Sequence, residues 1–357
     1  MDRIRILVID DSAYSRRTIT RMLEEMPEVE VIGYASNGEE GMRRILELRP
    51  DLVTLDLEMP VMDGFTLLRI IMSRNPLPVI VISSRNDDER VFKALELGAL
   101  DFIAKPGGPI SVELMNIKED LHRKVRSISS LNRSSIHSRS PSGPPSAIPP
   151  VEGGGTRYDL LAVGASTGGP PALQRLLTSL PKQLPCGVLI AQHMPTGFTK
   201  AFADRLNRLS PFPIREAVDS EPVVAGVVLI APGGKNMTVN RRGGRPVIAL
   251  SDPSPAERYV PSVDRLFTSA AEIYGDRLLS FVLTGMGSDG AEGVRAVKSR
   301  GGRVFAESEE TAIVYGMPRE AVLTGCVDRI VPLDAAAGEI MACLAGKSPE
   351  GGGDHGK

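Results

Sequence analysis

Leu160-Leu161-Ala162-Val163-Gly164-Ala165-Ser166-Thr167-Gly168 is the stretch on which the fold of this chain turns. An apolar run passes directly into a serine held among glycines. A helical pattern follows, with Leu173, Leu176, Leu177 and Leu180 on one face and Pro170 and Pro171 suited to the first turn. A strand that breaks sharply into a helix lifts the side chain at the break clear of the sheet, and glycines remove the Cβ atoms that would clash there. The pattern is that of a nucleophile elbow. A serine hydroxyl is a weak nucleophile unless a base takes its proton and a third group orients that base. The elbow therefore poses a question to the rest of the chain.

Four histidines are present: His122 near a break in the sequence, His137 within it, His355 in the tail, and His193. Of these, only His193 lies within the expected second folded domain, at the carboxyl end of the apolar run Gly187 to Ala191, and it is the candidate base. Asp289 follows the run Leu278 to Leu283 in Thr284-Gly285-Met286-Gly287-Ser288-Asp289-Gly290 and is the candidate orienting acid. Asp264 and Asp219 rival it by residue type, but neither follows a clear strand. The glycine-rich turn brings backbone close to the site, so the amides of Thr167 and Met286 are candidates for an oxyanion hole. The order Ser…His…Asp differs from the α/β-hydrolase order, which argues for another hydrolytic fold without arguing against catalysis.

Outward from the elbow, strand patterns recur near 158–163, 187–191, 227–231, 278–283, 302–305 and 327–330. Residues 236–250 alternate around Arg242-Gly243-Gly244, which predicts an antiparallel hairpin inserted in an otherwise parallel sheet. Upstream, residues 127–156 are rich in Ser, Pro and Gly and too poor in apolar side chains to offset their ordering entropy. They read as a flexible linker, with a helix continuing into its front. The expected organisation is one domain over 1–126, the linker, a second domain over 157–346 and a disordered tail over 347–357.

In the first half, β-branched runs near 4–9, 29–34, 51–57, 78–83 and 101–104 alternate with helical patterns such as Ile19, Met22, Leu23 and Met26. Right-handed crossovers then give a doubly wound α/β domain of strand order 2-1-3-4-5. Asp10 and Asp11 end the first strand and Asp56 ends the third, its neighbour in that order. Three carboxylates in one crevice repel unless a hard cation sits among them, and Mg²⁺ suits carboxylates, waters and phosphate oxygens. Ser83 and Lys105 end the fourth and fifth strands, supplying a hydroxyl and a point charge for a phosphoryl group. Asp63, in Met62-Asp63-Gly64, reads as a turn residue.

Composition narrows the classes. Lys+Arg total 42 against Asp+Glu 44, so no bulk positive field exists for nucleic acid or an anionic membrane. No apolar run approaches the length that spans a bilayer. The N-terminal run is cut off by Asp10 and Asp11, too early for a signal peptide. Cys186, Cys326 and Cys343 are widely spaced with no C-x-x-C, as expected of thiols in a reducing compartment. A cytoplasmic protein is the expectation.

The first half, with Asp10-Asp11, Asp56 in Leu-Asp-Leu-Glu-Met-Pro-Val-Met-Asp-Gly, Ser83-Ser84 and Asp101-Phe102-Ile103-Ala104-Lys105-Pro106, resembles a response-regulator receiver domain of flavodoxin-like fold. That resemblance implies phosphorylation of Asp56 by a histidine kinase. It also implies Mg²⁺ held with the help of the Glu58 backbone carbonyl, and Ser83 with Phe102 as the pair that repacks. Adding Gly-Ala-Ser-Thr-Gly-Gly, Gln-His-Met-Pro, Pro261-Ser262-Val263-Asp264 and Thr-Gly-Met-Gly-Ser-Asp-Gly-Ala, the whole chain is similar to the chemotaxis protein-glutamate methylesterases, the CheB family. The resemblance implies a larger Rossmann-like hydrolytic domain that needs no cofactor for its chemistry and hydrolyses glutamate methyl esters on chemoreceptor helices. Glutamine deamidation would use the same acyl chemistry. It further implies a receiver that covers the active site until phosphorylated. Two other readings weigh less. A dinucleotide loop at Gly164–Gly169 would want an acid where Gln192-His193 stands, and a binding-only output domain would be expected to lose Ser166, His193 or Asp289.

Overall fold

Residues 3–84, 88–105, 117–130, 156–255 and 257–346 are described by the computed structural model. The first-half runs form β1 (Ile4–Ile9), β2 (Val29–Ala35), β3 (Leu52–Leu55), β4 (Val79–Ser84) and β5 (Asp101–Lys105), in the order β2-β1-β3-β4-β5. Every residue of β3 is buried, which requires a sheet covered on both faces. The cover is α1 (Ala13–Glu24), α2 (Gly38–Leu48), α3 (Gly64–Arg74), α4 (Asp88–Glu96) and α5 (Lys118–Arg126). Short polar side chains start the first three helices: Ser12, Asn37 and Asp63 accept from the amides of Ser15, Glu40 and Thr66. Asp63 is thus a helix cap, outside the acid cluster. α5 runs on into a 3-10 turn over Ser127–Ser130, at the front of the expected linker. The linker from 131 to 155, the tail from 347 to 357 and Pro106 lie outside the described residues.

The second half contributes β6 (Leu160–Ala165), α6 (Gly169–Ser179), β7 (Gly187–Gln192), α7 (Phe198–Leu209), β8 (Ile214–Glu216) and β9 (Val228–Ile230). After a hairpin of β10 (Asn236–Arg242) and β11 (Arg245–Ser251) come α8 (Val263–Tyr274), β12 (Leu278–Val282), α9 (Ala291–Ser299) and β13 (Arg303–Glu307). The chain closes with α10 (Met317–Leu323), β14 (Arg329–Val331) and α11 (Leu333–Leu344). Seven strands form one parallel sheet in the order β14-β13-β12-β6-β7-β9-β8. β6 lies between β7, its successor, and β12, reached only after the hairpin. The order reverses there, and in doubly wound sheets ligands bind at the carboxyl ends beside such a reversal.

Two details depart from the sequence reading. The hairpin is present, pairing Asn236 with Ser251 through Arg242 with Arg245 around Gly243 and Gly244 at φ 58° and 81°, but it forms its own two-stranded sheet beside the parallel one. β8 went unread because three residues between Pro213 and Ala217 carry too little pattern to register.

The two halves touch. The Phe92 ring of α4 stacks on Phe202 of α7 at 5.3 Å, and Phe102 of β5 meets Phe198 at 4.7 Å. Arg205 pairs with Glu96 at the edge of this aromatic contact. A cavity of about 370 Å³ lies where α5 and β5 face the carboxyl ends of β6 and β7.

Candidate active site

Ser166 follows the last residue of β6. Its amide donates to the Thr284 carbonyl at 3.0 Å and its carbonyl accepts from Gly169 N at 2.8 Å, which closes the elbow. The turn leaves no room for side chains: a Cβ on Gly169 would lie 2.0 Å from Gln192 Oε1, and Gly168 sits at φ +78°. Gln192, the last residue of β7, donates from Nε2 to the Ser166 carbonyl at 2.9 Å and so ties the elbow to the neighbouring strand.

His193 follows Gln192, with its amide on the Ala165 carbonyl at 3.0 Å, so the pairing of β6 with β7 sets serine and histidine side by side. Its Nδ1 lies 3.0 Å from Ser166 Oγ, and its Nε2 lies 2.8 Å from Asp289 Oδ2. Ionised Asp289 can only accept, so Nε2 carries the proton and Nδ1 faces the serine as an acceptor. Serine, histidine and aspartate thus form one hydrogen-bonded line across the ends of β6, β7 and β12, with the imidazole and carboxylate almost wholly covered.

Asp289 does more than touch His193. Ser262 Oγ and the Asp264 amide donate to Oδ1 at 3.1 and 2.9 Å, and the Val263 amide donates to Oδ2 at 2.7 Å. The carboxylate therefore caps the amino terminus of α8, where unpaired amides and the helix dipole favour negative charge. Burial pushes its pKa up, but the hydrogen bond and charge of His193 and the amides of Asp264 and Val263 hold it below the usual value. Pro-Ser-Val-Asp in the sequence is thus the cradle of the acid. Asp264, weighed as a rival, instead accepts from Gly290 N at 2.8 Å and Gly293 N at 2.7 Å. Its pKa rises to about 6 through burial and the neighbouring charge of Asp289, against the pull of those two amides. Asp219 lies far off, accepting from the Leu250 amide at 2.8 Å.

Among the described residues, neither the Thr167 nor the Met286 amide has an acceptor, and both border the elbow. Close packing fixes them: a Cβ on Gly285 would fall 2.4 Å from Met317 Sδ and 2.8 Å from Ser166 Cβ. Beneath lies Glu307, which the sequence reading missed. Wholly buried at the end of β13, it accepts from Thr284 N at 2.7 Å and from Thr311 Oγ1 at 3.0 Å. Nothing local to its stretch marks it as part of the site. Tyr259 was also missed; its ring lies 5.0 Å from the His193 ring and 15° from parallel.

At the other site, Asp10, Asp11 and Asp56 bring carboxylate oxygens within 4.8 Å of one another. Lys105 Nζ lies 2.8 Å from Asp10 Oδ2 and 2.5 Å from Asp56 Oδ2. One lysine does not balance three carboxylates. Burial and the charge of Asp56 raise the Asp10 pKa to about 6 despite Lys105. An all-oxygen donor set with excess negative charge fits a hard divalent cation. Ser83 is buried near the carboxyl end of β4, and the Glu58 side chain turns to Arg90. Phe102 points away from it, against Phe198 of the second half. The three thiols are unpaired, Cys186 and Cys343 buried and Cys326 partly so. No helix among the described residues is long and apolar enough to cross a membrane.

Fold and site together define a two-part α/β hydrolase, with a serine–histidine–aspartate line in one part and a receiver-type acid cluster in the other. Residues 161–340 match the family model described as CheB methylesterase, and residues 6–115 match that of the response regulator receiver domain. The chain belongs to the CheB methylesterase family. It is 56% identical to protein-glutamate methylesterase/protein-glutamine glutaminase 3 of Geobacter sulfurreducens, over 96% of this chain and 97% of that one. It is 50% identical to protein-glutamate methylesterase/protein-glutamine glutaminase 1 of Myxococcus xanthus, over 96% and 97%. Among solved structures, the Thermotoga maritima CheB methylesterase catalytic domain matches 52% of this chain and 97% of that one, at 37% identity and TM-score 0.50.

Proposed function

We propose that this protein is a cytoplasmic, phosphorylation-activated serine esterase that hydrolyses glutamate methyl esters on the cytoplasmic helices of chemoreceptors. The observation that carries the reading is the line Ser166 Oγ–His193 Nδ1 at 3.0 Å and His193 Nε2–Asp289 Oδ2 at 2.8 Å at a strand-order reversal. Names of relatives supply the substrate class.

In this mechanism Ser166 Oγ attacks the ester carbonyl while His193 Nδ1 takes its proton. The carbonyl oxygen becomes an oxyanion against the open amides of Thr167 and Met286. Nδ1 returns the proton to the departing methoxide, and methanol leaves an acyl-enzyme at Ser166. Water, deprotonated by His193, then attacks the acyl carbon and frees the glutamate carboxyl. A glutamine side chain would follow the same course with ammonia leaving. Asp289 stays ionised throughout, orients the ring through Nε2–H and stabilises the imidazolium.

Asp56 is the phosphorylation site and a histidine kinase of the signalling pathway the donor, with Ser83 and Lys105 placed for the phosphoryl oxygens. Asp10, Asp11, Asp56 and the Glu58 carbonyl would hold Mg²⁺, which neutralises charge on the transferring phosphoryl group. The domains span 1–126 and 157–346. The receiver rests on the active-site face, and the Phe102–Phe198 contact joins the residue expected to repack directly to the helix after His193.

Methanol release from methylated receptor membranes, with and without acetyl phosphate and Mg²⁺, tests the reading. Ser166→Ala should abolish release, and Asp56→Asn should abolish only the stimulation. Release surviving Ser166→Ala would refute the nucleophile.

A further inference from the structure

Two side-chain hydrogen bonds hold the His193 ring, one at Nδ1 and one at Nε2. Bonds at the two ring nitrogens define an axis about which the ring can still rock. The group that covers one face is Tyr259, 5.0 Å away between centroids and 15° from parallel. Its hydroxyl end reaches the turn after Gly285: a Cβ on Gly287 would fall 2.2 Å from the phenol oxygen. Tyr259 is therefore wedged between the base and the turn that carries the Met286 amide.

The same ring is also touched from the receiver. The Arg123 guanidinium of α5 lies 5.9 Å from its centroid, and Arg123 Nη1 donates to the carbonyl of Arg258, one residue before Tyr259, at 3.2 Å. Asp120, one turn back on α5, anchors that guanidinium.

We propose that Tyr259 is a positioning residue for His193, and that the docked receiver acts on the base through it, with Arg123 holding the tyrosine ring and its loop. The inference rests on the esterase reading above. His193 becomes an imidazolium at each tetrahedral step, and an aromatic face attracts that cation while it blocks rocking of the ring. A guanidinium over the same ring draws on the same π density and repels the imidazolium. Only a docked receiver brings it there. Tyr259 thus assists turnover when the receiver is displaced and passes on its restraint when the receiver is seated.

The test uses the full chain and methanol release from methylated receptor membranes. With acetyl phosphate and Mg²⁺, Tyr259→Leu should lower kcat about 5- to 30-fold, the factor to which about 1–2 kcal/mol of lost face contact converts, with KM unchanged. Tyr259→Phe, which keeps the ring, should restore most of it. Without phosphodonor, Arg123→Ala should raise the basal rate severalfold, and should raise it no further in the Tyr259→Leu background. Parental kcat in Tyr259→Leu, or an equal Arg123→Ala effect in both backgrounds, overturns the proposal. Circular dichroism checks folding, and Tyr259→Gln takes the place of Tyr259→Leu if that variant does not fold. Ser166→Ala separates the two levels. If it is inactive while Tyr259→Leu is fully active, the esterase reading stands and this inference falls. If Ser166→Ala retains activity, the esterase reading itself falls.

Discussion

Replacing Glu307 by glutamine should change how the stability of the second domain depends on pH. Glu307 is wholly buried under the elbow, and burial raises its pKa from 4.5 to about 7 against the opposing pull of the Thr284 amide and the Thr311 hydroxyl. A folded-state value above the unfolded one means that the folded protein keeps a proton which the unfolded chain releases. The stability this provides is complete below about pH 4.5 and is lost as pH rises through about 7. The full span corresponds to on the order of 3 kcal/mol, of which about 2–3 kcal/mol falls between about pH 5 and about pH 8. Glutamine is nearly isosteric and does not titrate. Its oxygen can accept from Thr284 N and its amide can donate to Thr311 Oγ1, so the packing that holds Thr284 beneath Ser166 survives. Relative to the parent, Glu307→Gln should therefore gain stability as pH rises. Calorimetry of the full chain should show the difference in midpoint of the second-domain transition growing by about 5–10 °C over that range. A constant difference between the two proteins across the range would refute the reasoning, since Glu307 would then be ionised in the folded state without penalty.

Asp289→Asn leaves one oxygen for four donors, His193 Nε2, Ser262 Oγ and the Val263 and Asp264 amides. Methanol release should fall by on the order of 10³–10⁴-fold, and a loss of less than tenfold would remove Asp289 from the mechanism. Gly285→Ala puts a methyl group 2.8 Å from Ser166 Cβ. A displacement on the order of 1 Å there should cost about a hundredfold in kcat, so parental turnover would show that the elbow tolerates movement. Arg205→Glu reverses the pairing with Glu96 across the two halves and should raise release without phosphodonor. Adding Glu96→Arg should bring it back down. An unchanged basal rate in the single variant would mean that this ion pair does not hold the receiver in place.

Much of the fold was legible because its signals are local. Buried parallel strands announce themselves as short β-branched runs, helices as 3.6-residue spacing, and strand ends as the places where Asp10, Asp56, Ser166 and His193 stand. The sequence favours Asp289 over Asp264 because it ends a glycine-rich turn after a strand, and in the structure Asp289 is the carboxylate that His193 meets. Where a segment was short, as in β8, or where pairing partners had to be known, as for the separate hairpin sheet, the pattern along the chain did not suffice.

By itself the sequence determined two doubly wound halves, an acid cluster in one and a serine, histidine and aspartate at strand ends in the other. These are properties of residue type and spacing along the chain. Only the tertiary structure decided which atoms meet. Asp289 rests on the amino terminus of α8, Glu307 lies beneath Thr284, Tyr259 lies on His193, and Arg123 reaches Tyr259 from the other half. Each such contact joins segments far apart in sequence. Its energy comes from burial and geometry created when the sheets assemble, so no periodicity or local motif records it.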